Sequence, residues 1–311
     1  MSSDLAFALR GVGTAVAGNF RLRDVTFELP TGYVMGLIGA NGAGKTTTIR
    51  CLLGMRRIDA GEIELLGHRV PGPVELRQDV GVVLDHTCLV GDWRLTEVER
   101  TLRPFYDRWD AAGYRRLLGE FGLDPRARVK DLSRGMAMKL MIAVALSHQA
   151  RLLVFDEPSS GLDPVTRDEL VGIIGDFLVD EGHSVLFSTH ITSDLDRIGD
   201  YVTLLHEGRI VRTGTKDEIL DAYRIVRAGP DDLRGLVGVQ LIGARRTPAG
   251  SQALVRTEEA ALLGGDVLVE APTLEEIAVH VGARAPRREP DPGVEGDPAR
   301  HASSLSTGGA S

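Results

Sequence analysis

The sequence predicts an α/β fold from three observations. Short apolar runs at residues 34–37, 152–155 and 184–188 have the length of strands and lack polar alternation, as strands buried on both faces do. Helical segments at residues 46–54, 136–147 and 168–179 alternate with them, which implies parallel pairing with helices on both faces. A glycine-rich loop, residues 39–46, joins the first buried strand to the first of these helices.

Taken in order, residues 20–37 carry short β-rich runs (Val25, Phe27, Leu29, then Val34, Met35 and Leu37) broken by Pro30, Thr31 and Gly32. They read as an antiparallel hairpin leading into a buried strand. Further short strands are expected at 63–66 and 80–84. Residues 95–123 have helical periodicity, with Trp109, Tyr114, Leu117, Leu118 and Phe121 able to share apolar faces, and predict a helical subdomain that extends to about residue 147. The main domain spans 5–222. Beyond Tyr223 come weaker strand signals at 237–242, 252–255 and 267–269 and a helix at 274–281, a small α+β unit covering 223–283. Residues 284–311 are rich in Pro, Gly, Ser and charge without an apolar face and predict a disordered tail.

A net charge of -8 over 311 residues argues against nucleic acid as a partner held by a basic surface. No apolar stretch reaches the roughly 18 residues that cross a bilayer, and the opening MSSDLAFALRG lacks the regions of a signal peptide, so a cytoplasmic location is expected. Cys51 and Cys88 have no metal-ligand spacing and read as reduced, partly buried thiols.

The chemistry is concentrated in a few segments. Gly39-Ala40-Asn41-Gly42-Ala43-Gly44-Lys45-Thr46 has the spacing of a P-loop between strand and helix, where backbone N–H groups and the helix dipole cradle phosphates. Gly39, Asn41, Gly42, Ala43, Gly44, Lys45, Thr46 and Thr47 are the expected phosphate contacts. Lys45 is placed to neutralise the β and γ phosphates, and the Thr46 hydroxyl suits Mg²⁺, a hard ion that prefers oxygen. The apolar run 152–155 ends in Asp156 and Glu157: the first would hold Mg²⁺, the second would orient and polarise the attacking water. Together they specify a nucleotide hydrolase.

Leu132-Ser133-Arg134-Gly135-Met136, Ser160-Gly161-Leu162-Asp163 and His190 distinguish among P-loop enzymes, and with them the chain resembles ABC transporter ATPases over roughly residues 5–220. These stretches look like that family's signature motif, D-loop and switch histidine. The resemblance implies a P-loop NTPase cassette with an antiparallel β subdomain and a helical subdomain. It also implies Mg-ATP hydrolysis between two cassettes arranged head to tail, as a homodimer or a related heterodimer. Ser133 and Gly135 would then meet the γ-phosphate held by the opposite P-loop, Asp163 would lie across the seam, and Lys45, Glu157 and His190 would carry the chemistry. The motor would be peripheral to the inner face of the cell membrane, pulling on a separately encoded integral-membrane permease, with export favoured over uptake. The alternative is a soluble relative acting on ribosomes or DNA. A single cassette without sustained heptads weighs against it.

Three departures from the family pattern matter. Arg134 and Met136 replace glycine and glutamine of the commonest signature; this LSRGM form, with Phe105-Tyr106 and Trp109-Asp110, looks like the bacitracin-export and YtrB-type branch. Asp85 stands where a glutamine usually senses Mg²⁺; it keeps an oxygen ligand, and its extra charge is tolerable with Mg²⁺ present or with the side chain withdrawn. Ala17 occupies the place of the adenine-stacking aromatic, and Phe20, the nearest aromatic, reads as packing at the start of its strand.

Overall fold

The computed structural model describes residues 5–15, 20–84, 86–229, 233, 238–248, 250–264 and 267–283. Along the chain run β1 (Leu5–Ala15), β2 (Arg21–Pro30), β3 (Val34–Ile38), α1 (Lys45–Leu52), β4 (Ala60–Leu65), β5 (His68–Arg69), β6 (Val80–Val83), α2 (Leu95–Leu102), α3 (Ala111–Glu120) and α4 (Arg134–Ser147). There follow β7 (Leu152–Asp156), α5 (Pro164–Phe177), β8 (Ser184–Thr189), α6 (Ser193–Ile198), β9 (Tyr201–His206), β10 (Arg209–Thr215) and α7 (Lys216–Asp221). The last elements are β11 (Tyr223–Ala228), β12 (Ile242–Thr247), β13 (Gly250–Arg256), α8 (Thr257–Ala260), β14 (Leu268–Glu270) and α9 (Leu274–Gly282).

The central sheet has the order β10-β9-β3-β8-β7-β6 and is parallel except for β10. β3, β7 and β8 are buried along their whole length because both faces are covered there, β10 at the edge is exposed or half-buried, and the pleat sends alternate residues to opposite sides. Val34, Leu153, Phe155, Val185 and Phe187 join one cluster with Ile142 of α4, Ile174 of α5 and Leu195 of α6. Met35, Leu37, Leu152, Val154 and Leu186 join another with Ile49 of α1 and with Phe7, Val25 and Ile63 of a second, antiparallel sheet, β2-β1-β4-β5. Helices lie on both faces as expected, α4, α5 and α6 on one and α1 on the other, where the antiparallel sheet packs beside α1.

The expected hairpin is corrected: β2 pairs back with β1, while β3 enters the central sheet, and the turn at Pro30–Gly32 passes the chain between sheets. Residues 95–123 are not one helix: α2 and α3 are separated by a 3-10 turn at Arg103–Phe105, where Pro104 has no N–H to continue the ladder. With α4 they bury a small core around Tyr114, whose hydroxyl donates to Leu95 O at 3.0 Å. α4 is apolar nearly all round because it serves two cores, Leu140 and Ala143 facing this one and Ile142 facing the central sheet.

β11, β13, β12 and β14 form a third sheet, order β12-β13-β11-β14. Strand 237–242 is displaced to Ile242–Thr247, because pairing with β13 sets its register. Cys88 is exposed, against expectation, whereas burial pushes the Cys51 thiol up to about 11. The tail 284–311, Ala17 and Asp85 lie outside the described residues. Among the described residues no helix is long and apolar enough to cross a membrane.

Candidate functional site

Parallel registry brings the carboxyl ends of β3, β7 and β8 level, Ile38 against Thr189 and Asp156 against Ser188. The residues that follow each strand therefore converge on one edge of the sheet, where α/β folds place ligands. The loop after β3 packs so tightly that a Cβ on Gly39 would stand 2.4 Å from Leu205 O, and Gly44, the N-cap of α1, has φ +113. Only glycine suits either place. The loop delivers Lys45 to the first helical position, 5 % exposed, with Nζ donating to Gly39 O at 2.6 Å and Ala40 O at 3.3 Å.

Lys45 Nζ also lies 2.8 Å from Glu157 Oε1. That oxygen has no aligned hydrogen-bond donor, so the contact is a charge pairing that an arriving anion can replace. Glu157 Oε2 accepts from His190 Nδ1 at 2.6 Å, which fixes the proton on Nδ1 and leaves Nε2 as the basic ring nitrogen. Glu157 has φ +55, an uncommon backbone for a non-glycine residue, and is held there by its N–H donating to Ser188 O at 3.1 Å and to Ser188 Oγ at 3.3 Å.

Asp156 is 2 % exposed and accepts from Ser188 Oγ at 2.8 Å, with no cation paired to it among the described residues. A buried carboxylate left so is costly, and a metal ion beside it would offset the cost. The donor set of Asp156, the Thr46 hydroxyl, water and substrate phosphate fits Mg²⁺, which binds through one or two carboxylates. Ser188, overlooked in the sequence, orients Asp156 and holds Glu157; its only sequence signal is its place at the end of a buried strand.

A cavity of about 460 Å³ lies over the loop, lined by Asn41, Gly42, Gly44, Lys45, Thr46, Thr47, Glu157 and Phe20. Phe20 precedes β2 and brings its Cζ 2.8 Å from where a Gly44 Cβ would stand, so it walls this cavity as well as packing on the core.

Ser133, Gly135 and Asp163 do not line the cavity. Ser133 caps α4, its Oγ accepting from Met136 N at 3.2 Å. Asp163 caps α5, accepting from Thr166 Oγ1 at 2.7 Å and from the N–H groups of Val165 and Thr166 at 3.0 and 3.1 Å. The Thr166 hydroxyl, then these N–H groups, hold its carboxyl below the ordinary aspartate value. These caps start the two helices earlier than the periodicity suggested, at Arg134 and Pro164. The two caps adjoin: a Cβ on Gly135 would stand 3.3 Å from Thr166 Cγ2, and one on Gly161 2.9 Å from Arg134 Nη1. The two caps thus form one cluster, separate from the residues that line the cavity over the P-loop.

The ABC transporter family model matches residues 22–160. A Nod factor export ATP-binding protein I from Rhizobium leguminosarum bv. viciae is 34 % identical over 70 % of this chain and 72 % of its own length. The protein of the same description from Cupriavidus pinatubonensis is 32 % identical, covering 79 % and 78 %. A solved ATP-binding subunit of an ABC transporter superposes with a TM-score of 0.62 at 31 % identity, over 75 % of this chain and 95 % of that one. CbiO1 from Clostridium perfringens, part of the transporter complex CbiONQ, shares the fold at TM-score 0.58 and 20 % identity, over 70 % and 90 %. These relatives do not place the chain in the bacitracin-export or YtrB-type branch.

Proposed function

The chain belongs to the ABC transporter ATP-binding proteins, and from that premise we propose that it is the ATP-hydrolysing motor of an exporter, driving a separately encoded permease from the inner face of the cell membrane. The observation that carries the reading is that Lys45 and Glu157 line the P-loop cavity 2.8 Å apart, with His190 holding Glu157 at 2.6 Å.

ATP enters with its phosphates against the N–H groups of residues 42–47 and the start of α1. Lys45 exchanges the Glu157 carboxylate for phosphate oxygens, which frees that carboxylate to accept a proton from the attacking water. His190 holds and orients the Glu157 carboxylate through its Nδ1–H. Mg²⁺, held by Thr46 and Asp156 with Asp85 as a further oxygen donor, would draw charge from the phosphates. Ser133, Gly135 and Asp163, which do not line their own chain's cavity, complete the site of a second cassette, homologous or identical, so closure requires two chains. The segments 5–222 act as the cassette, and 223–283 as an accessory unit.

An apolar groove of about 420 Å³ between α1, β6 and the turn after α2, lined by Leu53, Met55, Val70, Leu76, Val82 and Tyr106, supports a permease helix docking beside the helical subdomain. The experiment is to purify tagged Glu157→Gln chain with Mg-ATP from solubilised membranes and identify what accompanies it by mass spectrometry. A polytopic membrane protein in equal amount is expected. Ribosomal proteins or nucleic acid in its place would move the chain to the soluble class.

A further inference from the structure

The unit that begins at Tyr223 contributes no residue to the chemistry above, yet its last helix is packed against the cassette. α9 lies against α6 and β9. Leu274 and Ile277, 1 % and 0 % exposed, belong to the apolar cluster that holds Leu195 of α6, with Ile198, Ala278 and Val281 at its margin.

α6 is the helix that follows His190. It runs only from Ser193 to Ile198, and its N-cap Thr192 makes no side-chain cap hydrogen bond. So short a helix cannot fix its own position, and its packing partners must. Leu195 is seated on β3 so closely that a Cβ on Gly36 would fall 2.3 Å from its Cδ1. Arg197 pairs with Asp168 of α5 at 2.6 Å, an exposed and therefore weak contact. α9 adds buried apolar cover. At the other end, Thr189 Oγ1 accepts from Ile191 N at 2.8 Å and donates to Ile191 O at 3.0 Å, a tight turn that leaves little slack between β8 and α6. A displacement of α6 is therefore passed to His190, whose Nδ1 stands 2.6 Å from Glu157.

We propose that α9 positions His190 through α6, so that the C-terminal unit governs turnover at the nucleotide site without touching it. Ile277 and Leu274 are positioning residues in this scheme. The inference rests on the reading of His190 as a partner of Glu157 in hydrolysis.

The test uses the full chain with Ile277→Ala, and with Ile277→Val as the milder change should the first fail to fold. Three quantities are compared: kcat against nucleotide Kd, amide hydrogen exchange over residues 190–198, and the same kcat ratio in a His190→Ala background. Ile277→Ala should lower kcat about tenfold, since a misplacement on the order of 1 Å can cost a hundredfold. Nucleotide Kd should stay unchanged, exchange over 190–198 should rise, and no further loss should follow once His190 is gone. Ile277→Val should move each quantity the same way by less. An equal loss in the His190→Ala background, an unchanged exchange rate, or an unchanged kcat overturns the proposal. If His190→Ala alone leaves kcat intact, the catalytic reading of His190 falls first and this inference with it.

Discussion

Glu157→Gln removes one charge and almost no volume, so its effect isolates what the carboxylate does. Glu157 Oε1 is 2.8 Å from Lys45 Nζ and Oε2 is 2.6 Å from His190 Nδ1, the carboxylate itself being 16 % exposed. A glutamine can keep its carbonyl oxygen toward Lys45, but its amide then sets donor against donor at the Nδ1–H, and His190 must change tautomer or turn away. The substitution thus removes the basic oxygen and the group that orients the histidine together. A positioned general base is worth about 10²–10⁴ in rate, which is about 2.7–5.4 kcal/mol of barrier. Nucleotide binding should hold or tighten, because a negative charge beside the triphosphate has gone while Lys45 keeps Gly39 O and Ala40 O. Phosphate release under saturating Mg-ATP measures the first quantity, and a fluorescent nucleotide measures the second. A kcat within about threefold of the natural chain would refute the assignment of Glu157 as base.

Further outcomes follow from the same geometry. Lys45→Ala should weaken nucleotide binding by about a hundredfold, since charge-assisted hydrogen bonds contribute about 1.5–3 kcal/mol each; an unchanged Kd in a titration would contradict it. Ser133→Arg should leave nucleotide binding by the single chain intact and abolish cooperative hydrolysis, and retained cooperativity in the rate against ATP concentration would count against a shared site. Tyr114→Phe leaves the Leu95 carbonyl without its 3.0 Å donor in a core where Tyr114 is 0 % exposed, and should lower unfolding free energy by about 1–3 kcal/mol in urea titrations. His148 is held below its ordinary value of 6.5 chiefly by burial, against the Gln78 carbonyl and between Asp79 and Arg108. Its folded pKa is depressed, so the unfolded chain takes up the extra proton: stability is full above about pH 6.5 and declines as pH falls through the folded value. His148→Phe, which can keep the stack on Tyr106, should flatten that decline, and an identical slope in urea unfolding against pH would exclude His148 as its source.

The nucleotide site was legible because its parts are contiguous. Residues 39–46 form one strand-to-helix loop, and Asp156-Glu157 ends one apolar run, so each announces its chemistry locally. Apolar periodicity places the starts of α4 and α5 a little late, because the Ser133 hydroxyl and the Asp163 carboxylate cap each helix ahead of its first apolar positions. The helical subdomain at 95–123 was legible from its periodicity, and Pro104 marks where it divides into α2 and α3. The sequence signal for β9 and β10 is Glu207-Gly208, the turn between them, where both residues have positive φ.

The tertiary structure alone decided that β2 turns back to β1 and leaves β3 to another sheet, that Leu205 O presses on the loop at Gly39, and that Ser188 holds both acids. It also decided that α9, which starts 84 residues after His190 in the numbering, packs on the helix beside that histidine (274 against 190). Local spacing encodes hydrogen-bond periodicity and loop chemistry, whereas which strand lies beside which, and which helix covers which, depends on burying apolar faces that are complementary only once the whole chain is folded.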